Sequence, residues 1–336
     1  MTSSPNPARG SRRSRWSRRL TIALGVLFLL FAGLAALLLR DPTPYFLERR
    51  SRLTVVRVDT LERDSAYTNE RVRLEAESGL RVDLLVRAPR NDSAATHVTG
   101  SPATGSRRPL FVILGGYETG QRAATLFEDT RGMVIAALSY PYDGPVRLKG
   151  LAVVRHVPAI RRALLDTPPA TMLALDYLLS RSDVDTSRVE LLGASFGTAF
   201  GCIVGALDQR VTRVWSLHGA GKPYMLISHN LQKSVPFPPA RKMVAGLATL
   251  LASGPRLAPE RWVGRIAPRS FVMINAAEDE RMPREAVMAL YESAREPKEL
   301  VWLPGVHVQS NRREVLQSLV NTVIERAART HGTGEP

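Results

Sequence analysis

The 336-residue chain contains one cysteine, Cys202, so no disulfide can form within it. Cys202 lies among small residues (Thr198, Ala199, Gly201), which assigns it to a packed core rather than to nucleophilic chemistry. No Cys/His cluster has the spacing of a ligand set, so no metal or cofactor is indicated. No internal repeat is present. Acidic residues are missing from positions 1–40, a stretch that holds seven arginines. The whole chain has 46 Lys+Arg against 31 Asp+Glu, a net +15, so +8 remains once those seven are set aside. No basic run is interleaved with aromatics, so nucleic-acid binding is not expected. The residual positive charge fits a weak preference for anionic surfaces or substrates.

What the N-terminus does have is an uncharged, mostly apolar run from Leu20 to Leu39. As a helix rising 1.5 Å per residue it would span roughly 30 Å, the hydrocarbon thickness of a bilayer. Six arginines precede it, and Arg40-Asp41-Pro42 ends it. A cleaved signal peptide would have a shorter apolar region ending in small residues. The run ends instead in Leu37-Leu38-Leu39-Arg40, so an uncleaved signal anchor is the favoured reading. The arginines would hold residues 1–19 in the cytoplasm and place the rest of the chain across the membrane. Cleavage and secretion is the alternative; both put the soluble part outside the cytoplasm.

Residues 40–52, with Pro42 and Pro44, read as a polar linker. Residues 53–61 have strand composition, and 71–76 and 80–86 alternate across Glu77-Ser78-Gly79 as a hairpin. Residues 91–108 lack an apolar period and read as a surface loop. Continuous apolar runs at 110–114 and 133–138 mark strands buried on both faces. A helix is expected to start near Pro168-Pro169, with Met172, Leu175, Leu178 and Leu179 on one face. Further strands are expected at 189–192, 211–217, 271–274 and 299–303. A final helix is expected over about 312–328, where Asn311 and Glu314 resemble a capping box. Strands alternating with helices predict an α/β domain over 53–330 with a mostly parallel sheet. Residues 219–268 break the alternation and read as a small inserted cap, and 331–336 as a tail.

Gly193-Ala194-Ser195-Phe196-Gly197 follows the strand-like run ending at Leu192 and precedes small, helix-compatible residues. Strand, sharp turn, serine and helix together form the context of a nucleophile elbow. The helix N-terminus would point at Ser195, and a Cβ at either glycine would crowd the turn. A serine hydroxyl needs a histidine to take its proton and a carboxylate to orient that histidine. Asp279 follows the strand at 271–274, with Glu278 and Glu280 as positional rivals. His307 follows the strand at 299–303. Of the other histidines, His97 and His156 precede the serine, His331 is in the tail, His229 lies within the cap and His218 ends a strand as a turn residue. An oxyanion hole needs two backbone N–H groups. Phe196, next to the serine, supplies one; the turn 114–120 supplies the other, from Tyr117 first and Gly116 second.

These motifs, with Pro304-Gly305-Val306-His307 and Asp183–Val189 before the elbow, resemble the α/β-hydrolase superfamily over about residues 70–328. The nearest local likeness is to the dienelactone-hydrolase and acetyl-esterase branch. The turn Gly116–Gly120 also resembles the oxyanion turn of cutinases and polyester hydrolases. The resemblance implies Ser195 as nucleophile, Asp279 as acid and His307 as base, acting on a small-molecule or lipid or glycan ester without a cofactor. A carboxylesterase anchored by residues 20–39 is the leading expectation. A peptidase or amidase of the same fold is a second, although residues 41–109 are too short for the propeller of an oligopeptidase. An acyltransferase and a non-catalytic scaffold are further alternatives.

Overall fold

The computed structural model describes residues 21–22, 24–26, 28–29, 32–33, 40–63, 66–90, 107–145, 148, 150–307, 321–323 and 325–327. The chain divides into two units, 1–41 and 42–336. In the first, the described residues between Thr21 and Gly33 are helical. Among the described residues no helix is long and apolar enough to cross a membrane, and most of the run 20–39 lies outside them. The loop at 91–106 and the capping box at Asn311 and Glu314 also lie outside them.

The second unit is built on a nine-stranded sheet: β1 (Leu53–Arg63), β2 (Tyr67–Ala76), β3 (Arg81–Pro89), β4 (Arg108–Leu114), β5 (Val134–Leu138), β6 (Val184–Ala194), β7 (Arg213–Leu217), β8 (Ser270–Ala276) and β9 (Lys298–Leu303). The strand order is β1-β2-β3-β5-β4-β6-β7-β8-β9. β1, β2, β3 and β5 pair antiparallel, and every pairing from β5 through β4 to β9 is parallel. All five residues of β5, Val-Ile-Ala-Ala-Leu, are buried, as a strand covered on both faces requires. Two apolar clusters cover the two faces. One holds Leu173, Leu175, Ile203 and Val263; the other holds Phe111, Ile135 and Trp215, with Val323 and Ala327 of the described C-terminal helical residues.

The parallel register gathers the site. Leu114 pairs with Gly193, Ala194 with Leu217, Leu217 with Ile274, and Ala276 with Leu303. The turn after β4, Ser195, His218, the loop after β8 and the loop after β9 therefore all emerge at the carboxyl end of the sheet, where open α/β sheets build their sites.

Three expectations need correction. Residues 40–52 are not simply a linker: α1 (Thr43–Arg50) is a helix whose Phe46 is fully buried. Pro42 and Pro44 sit at its start, where a missing N–H costs nothing. Arg49 pairs with both Asp166 carboxylate oxygens and Arg50 with Asp176, fixing α1 on the next helix.

That next helix, α2, runs from Leu151 to Leu178 and does not start at Pro168; it carries Pro158, Pro168 and Pro169 inside. Each proline removes an N–H from the ladder. The burial of Ala170, Met172, Leu173, Ala174, Leu175 and Leu178 against the sheet outweighs that loss. The Thr167 and Thr171 hydroxyls donate to the carbonyls of Ala163 and Thr167 beside the proline pair.

The insertion 219–268 is only partly a cap. After α3 (Thr198–Leu207) and β7, α4 (Pro223–Asn230) has no buried residue, and α5 (Pro238–Leu251) buries only Ala245 and Thr249. The rest, α6 (Gly254–Leu257) and the short turns at 259–261 and 263–265, is scaffold. It puts Leu257, Trp262, Val263 and Ile266 into the main core. α7 (Arg284–Ser293) then leads to β9.

Candidate active site

Ser195 stands between β6 and α3, on a short 3₁₀ turn, with φ of +51°. An L-residue there is strained, the backbone geometry that the sequence expectation of an elbow calls for. The flanking glycines are dictated by close approach. A Cβ on Gly197 would lie 2.0 Å from the carbonyl oxygen of Leu114, and one on Gly193 would lie 2.6 Å from that of Gly197. α3 begins at Thr198, so its first-turn N–H groups face the serine's surroundings.

Ser195 Oγ lies 2.9 Å from His307 Nε2. His307 Nδ1 lies 2.8 Å and 3.0 Å from the two Asp279 oxygens. Asp279, ionised, can only accept, so Nδ1 carries the proton and Nε2 is left to accept the serine O–H. The His307 and Asp279 side chains are each only 2% exposed. The backbone N–H of His307 donates to Glu280 Oε2 at 2.9 Å, and that of Gly305 to Glu278 Oε2 at 2.6 Å. The two rivals of Asp279 thus fasten the loop that carries the histidine.

Asp279 receives more than His307. The N–H groups of Arg281 and Met282 donate to Oδ1 at 2.9 Å and 3.0 Å, and His218 Nδ1 donates to Oδ2 at 3.1 Å. Burial alone would push this carboxyl up. The hydrogen bonds from His218 and His307, with the backbone donor at Arg281, overcome it and hold the group well below the ordinary carboxylate range.

His218, expected only to end a strand as a turn residue, joins this cluster. It is buried, has φ of +49°, and its ring stands edge-on to that of His307 with centroids 5.3 Å apart. Its position at the end of β7, next to the elbow strand, was the available signal. His218, Asp279 and His307 bring their ligand atoms within 4.8 Å of one another, a grouping a cation could use. The Nδ1–H groups of both rings already satisfy the carboxylate, which accounts for the grouping by hydrogen bonding.

The turn after β4 lies beside the elbow. Within it the N–H groups of Thr119 and Gly120 donate back to Gly116 O, at 2.9 Å and 3.2 Å. The Tyr117 ring packs edge-on to Phe196 at 5.8 Å, which sets the turn against the residue that follows Ser195. Tyr140 reaches Phe196 at 5.0 Å and Phe200 at 5.8 Å, and its hydroxyl donates to Gly115 O. Burial pushes the Tyr140 phenol far up, so it stays neutral. A cleft of about 280 Å³ opens beside this cluster, lined by Tyr117, Tyr140, Tyr142 and Arg122. Cys202 is buried on α3, and burial raises its thiol, consistent with a packing role.

No family model matches the sequence. Uncharacterized protein YfhR of Salmonella typhimurium is 27% identical over 146 residues. That match covers 42% of this chain and 47% of the relative, so the chain spans about half the length of the curated relatives it matches. Among solved structures, acetyl xylan esterase 1 from Thermoanaerobacterium sp. superposes with a TM-score of 0.59 at 15% identity, covering 86% of this chain and 94% of that one. Acetyl xylan esterase from Paenibacillus sp. R4 gives 0.58 at 17% identity, covering 86% and 96%. At such identities the likeness is one of fold, and with the strand order above it shows that the chain has the α/β-hydrolase fold.

Proposed function

We propose that the protein is a serine carboxylesterase working through an acyl-enzyme on Ser195, anchored in a membrane by residues 20–39 with its catalytic domain outside the cytoplasm. The observation that carries the hydrolase reading is the chain of contacts Ser195–His307–Asp279, at 2.9 Å and 2.8 Å, around a nearly solvent-free histidine.

In the proposed reaction the Ser195 oxygen attacks the ester carbonyl carbon while His307 Nε2 takes its proton. Asp279 holds the imidazolium that forms and fixes its tautomer. The Phe196 N–H and that of Tyr117 or Gly116 face the oxyanion. Collapse breaks the C–O bond, and His307 returns the proton to the leaving alcohol. Water, deprotonated by the same nitrogen, then releases the acid. Small-molecule and glycan esters are the substrate class, since two solved structures sharing this fold are acetyl xylan esterases. The membrane part of the reading is supported by the uncharged run 20–39 and by the seven arginines and no acid in residues 1–40.

Ser195→Ala is expected to lower hydrolysis of a short-chain chromogenic ester by about four orders of magnitude. Its melting temperature should stay close to that of the parent chain. Near-parental turnover in this variant would remove the assignment. Resistance of the full chain to extraction from membranes by alkaline carbonate tests the anchor separately.

A further inference from the structure

Helix α5 presents an apolar face that is left exposed among the described residues. Met243 is 71% exposed and Leu247 57%, and Phe237, just before the helix, 66%. Val244, Leu250 and Leu251 are also exposed. At 3.6 residues per turn, Leu250, Met243, Leu247, Leu251 and Val244 fall within one arc of about 120°. Ala245 and Thr249, the residues that seat the helix, lie opposite. Arg241 and Lys242 flank the arc. A continuous apolar face of this size on a solvated helix marks an interaction surface.

The surroundings select the partner. Residues 219–259 contain Lys222, Lys233, Arg241, Lys242 and Arg256 and no acidic residue. An apolar stripe flanked by Arg241 and Lys242, on a helix with no acid of its own, is the pattern of a helix lying in the interface of an anionic bilayer. A second copy would fit worse, because a two-fold contact sets this cationic, acid-free helix against itself. The chain path agrees. Three residues, 40–42, separate the end of the apolar run from α1. Phe46 of α1 packs on Trp262 at 6.1 Å, and the Trp262 indole N–H donates to Arg256 O in α6, which begins three residues after α5 ends. The start of the domain and the apolar helix thus share one structural neighbourhood.

We infer that the apolar face of α5 docks onto the surface of an anionic lipid bilayer. This rests on the proposed membrane anchor. Docking there sets the bilayer beside the site: in α4, which packs against α5, His229 Nε2 donates to Glu280 O at 3.0 Å and the Asn230 amide to Arg281 O at 3.0 Å. Both acceptors belong to the loop that carries Asp279.

The test uses the full chain in vesicles of phosphatidylcholine and phosphatidylglycerol. In a Cys202→Ala background, an environment-sensitive dye is placed by Met243→Cys or, as a control, by Asp129→Cys in the loop before β5, where the side chain is 60% exposed and neighbouring Phe127 belongs to the apolar cluster on the sheet face opposite Phe46 and Trp262. A nitroxide on the lipid acyl chain should quench the dye at 243 at least threefold more than the dye at 129. Equal quenching overturns the inference. So does a dye at 243 shielded from water but unquenched, with 243-to-243 crosslinks, which would assign the face to a second copy. Release of the chain by carbonate removes the anchor and the docking together. Independently, the double variant Met243→Glu, Leu247→Glu should hydrolyse a water-soluble short ester within twofold of the parent. It should hydrolyse an ester dissolved in the vesicles at least fivefold more slowly, and an unchanged ratio contradicts the inference. If neither ester is hydrolysed by the parent, the esterase reading fails while the quenching result still stands.

Discussion

His218 and His307 share one carboxylate: both Nδ1 atoms bond Asp279 Oδ2, at 3.1 Å and 2.8 Å. With two backbone donors on Oδ1, Asp279 has little freedom to turn away from the histidine that faces Ser195. In the proposed mechanism His218 therefore acts as a positioning residue.

Replacing His218 by leucine takes one donor from a buried carboxylate, a loss of about 1.5–3 kcal/mol in stability for a hydrogen bond to a charged group. His218→Asn keeps an N–H near the same place and should recover part of it. We expect kcat to fall in His218→Leu with KM nearly unchanged, and to be partly rescued in His218→Asn. Steady-state kinetics beside urea denaturation check this. A purely structural histidine would move stability and leave kcat of the folded fraction alone.

Asp279 also gives the fold a pH signature. Its pKa in the folded chain lies below its ordinary value, so the unfolded chain binds the proton more readily. The stabilisation is present above the unfolded value, about 3.9, and is lost as pH falls toward the folded value. Urea midpoints measured from pH 6 down to pH 3 should fall more steeply for the parent than for Asp279→Asn. At pH 7 that variant should keep its fold and lose about three to four orders of magnitude in kcat.

Gly197→Ala should fail where Ala194→Gly is tolerated. The added methyl would meet the backbone oxygen of Leu114 at 2.0 Å, and backbone on a central strand cannot move aside. A loss of about 3 kcal/mol or more follows from overpacking at such a point. Thermal melts of the two variants decide it; a Gly197→Ala protein melting with the parent would mean the elbow is looser than described.

The proposed triad could be assembled from the sequence because each member follows an apolar run that reads as a buried strand. Order along the chain then does the rest: β6 to Ser195, β8 to Asp279, β9 to His307. The sheet's hairpin and parallel half were legible for the same reason. What could not be read were features set by tertiary packing. α2 runs through Pro168 and Pro169 because its buried face outweighs two missing N–H groups, a balance invisible to local propensity. α1 forms from a segment with two prolines because Phe46, Arg49 and Arg50 find partners more than 100 residues away. The place of His218 in the site is not visible in the sequence, because only the strand register sets the end of β7 against the loop after β8.

The central claim is that Ser195 is the activated nucleophile. Its most direct test is intact-mass and peptide mapping after exposure to a fluorophosphonate. One adduct per chain is predicted, on Ser195, and its formation should slow by about three orders of magnitude or more in His307→Ala, which removes the base. No adduct on Ser195 in a folded chain, or equal labelling with His307 removed, would contradict the account.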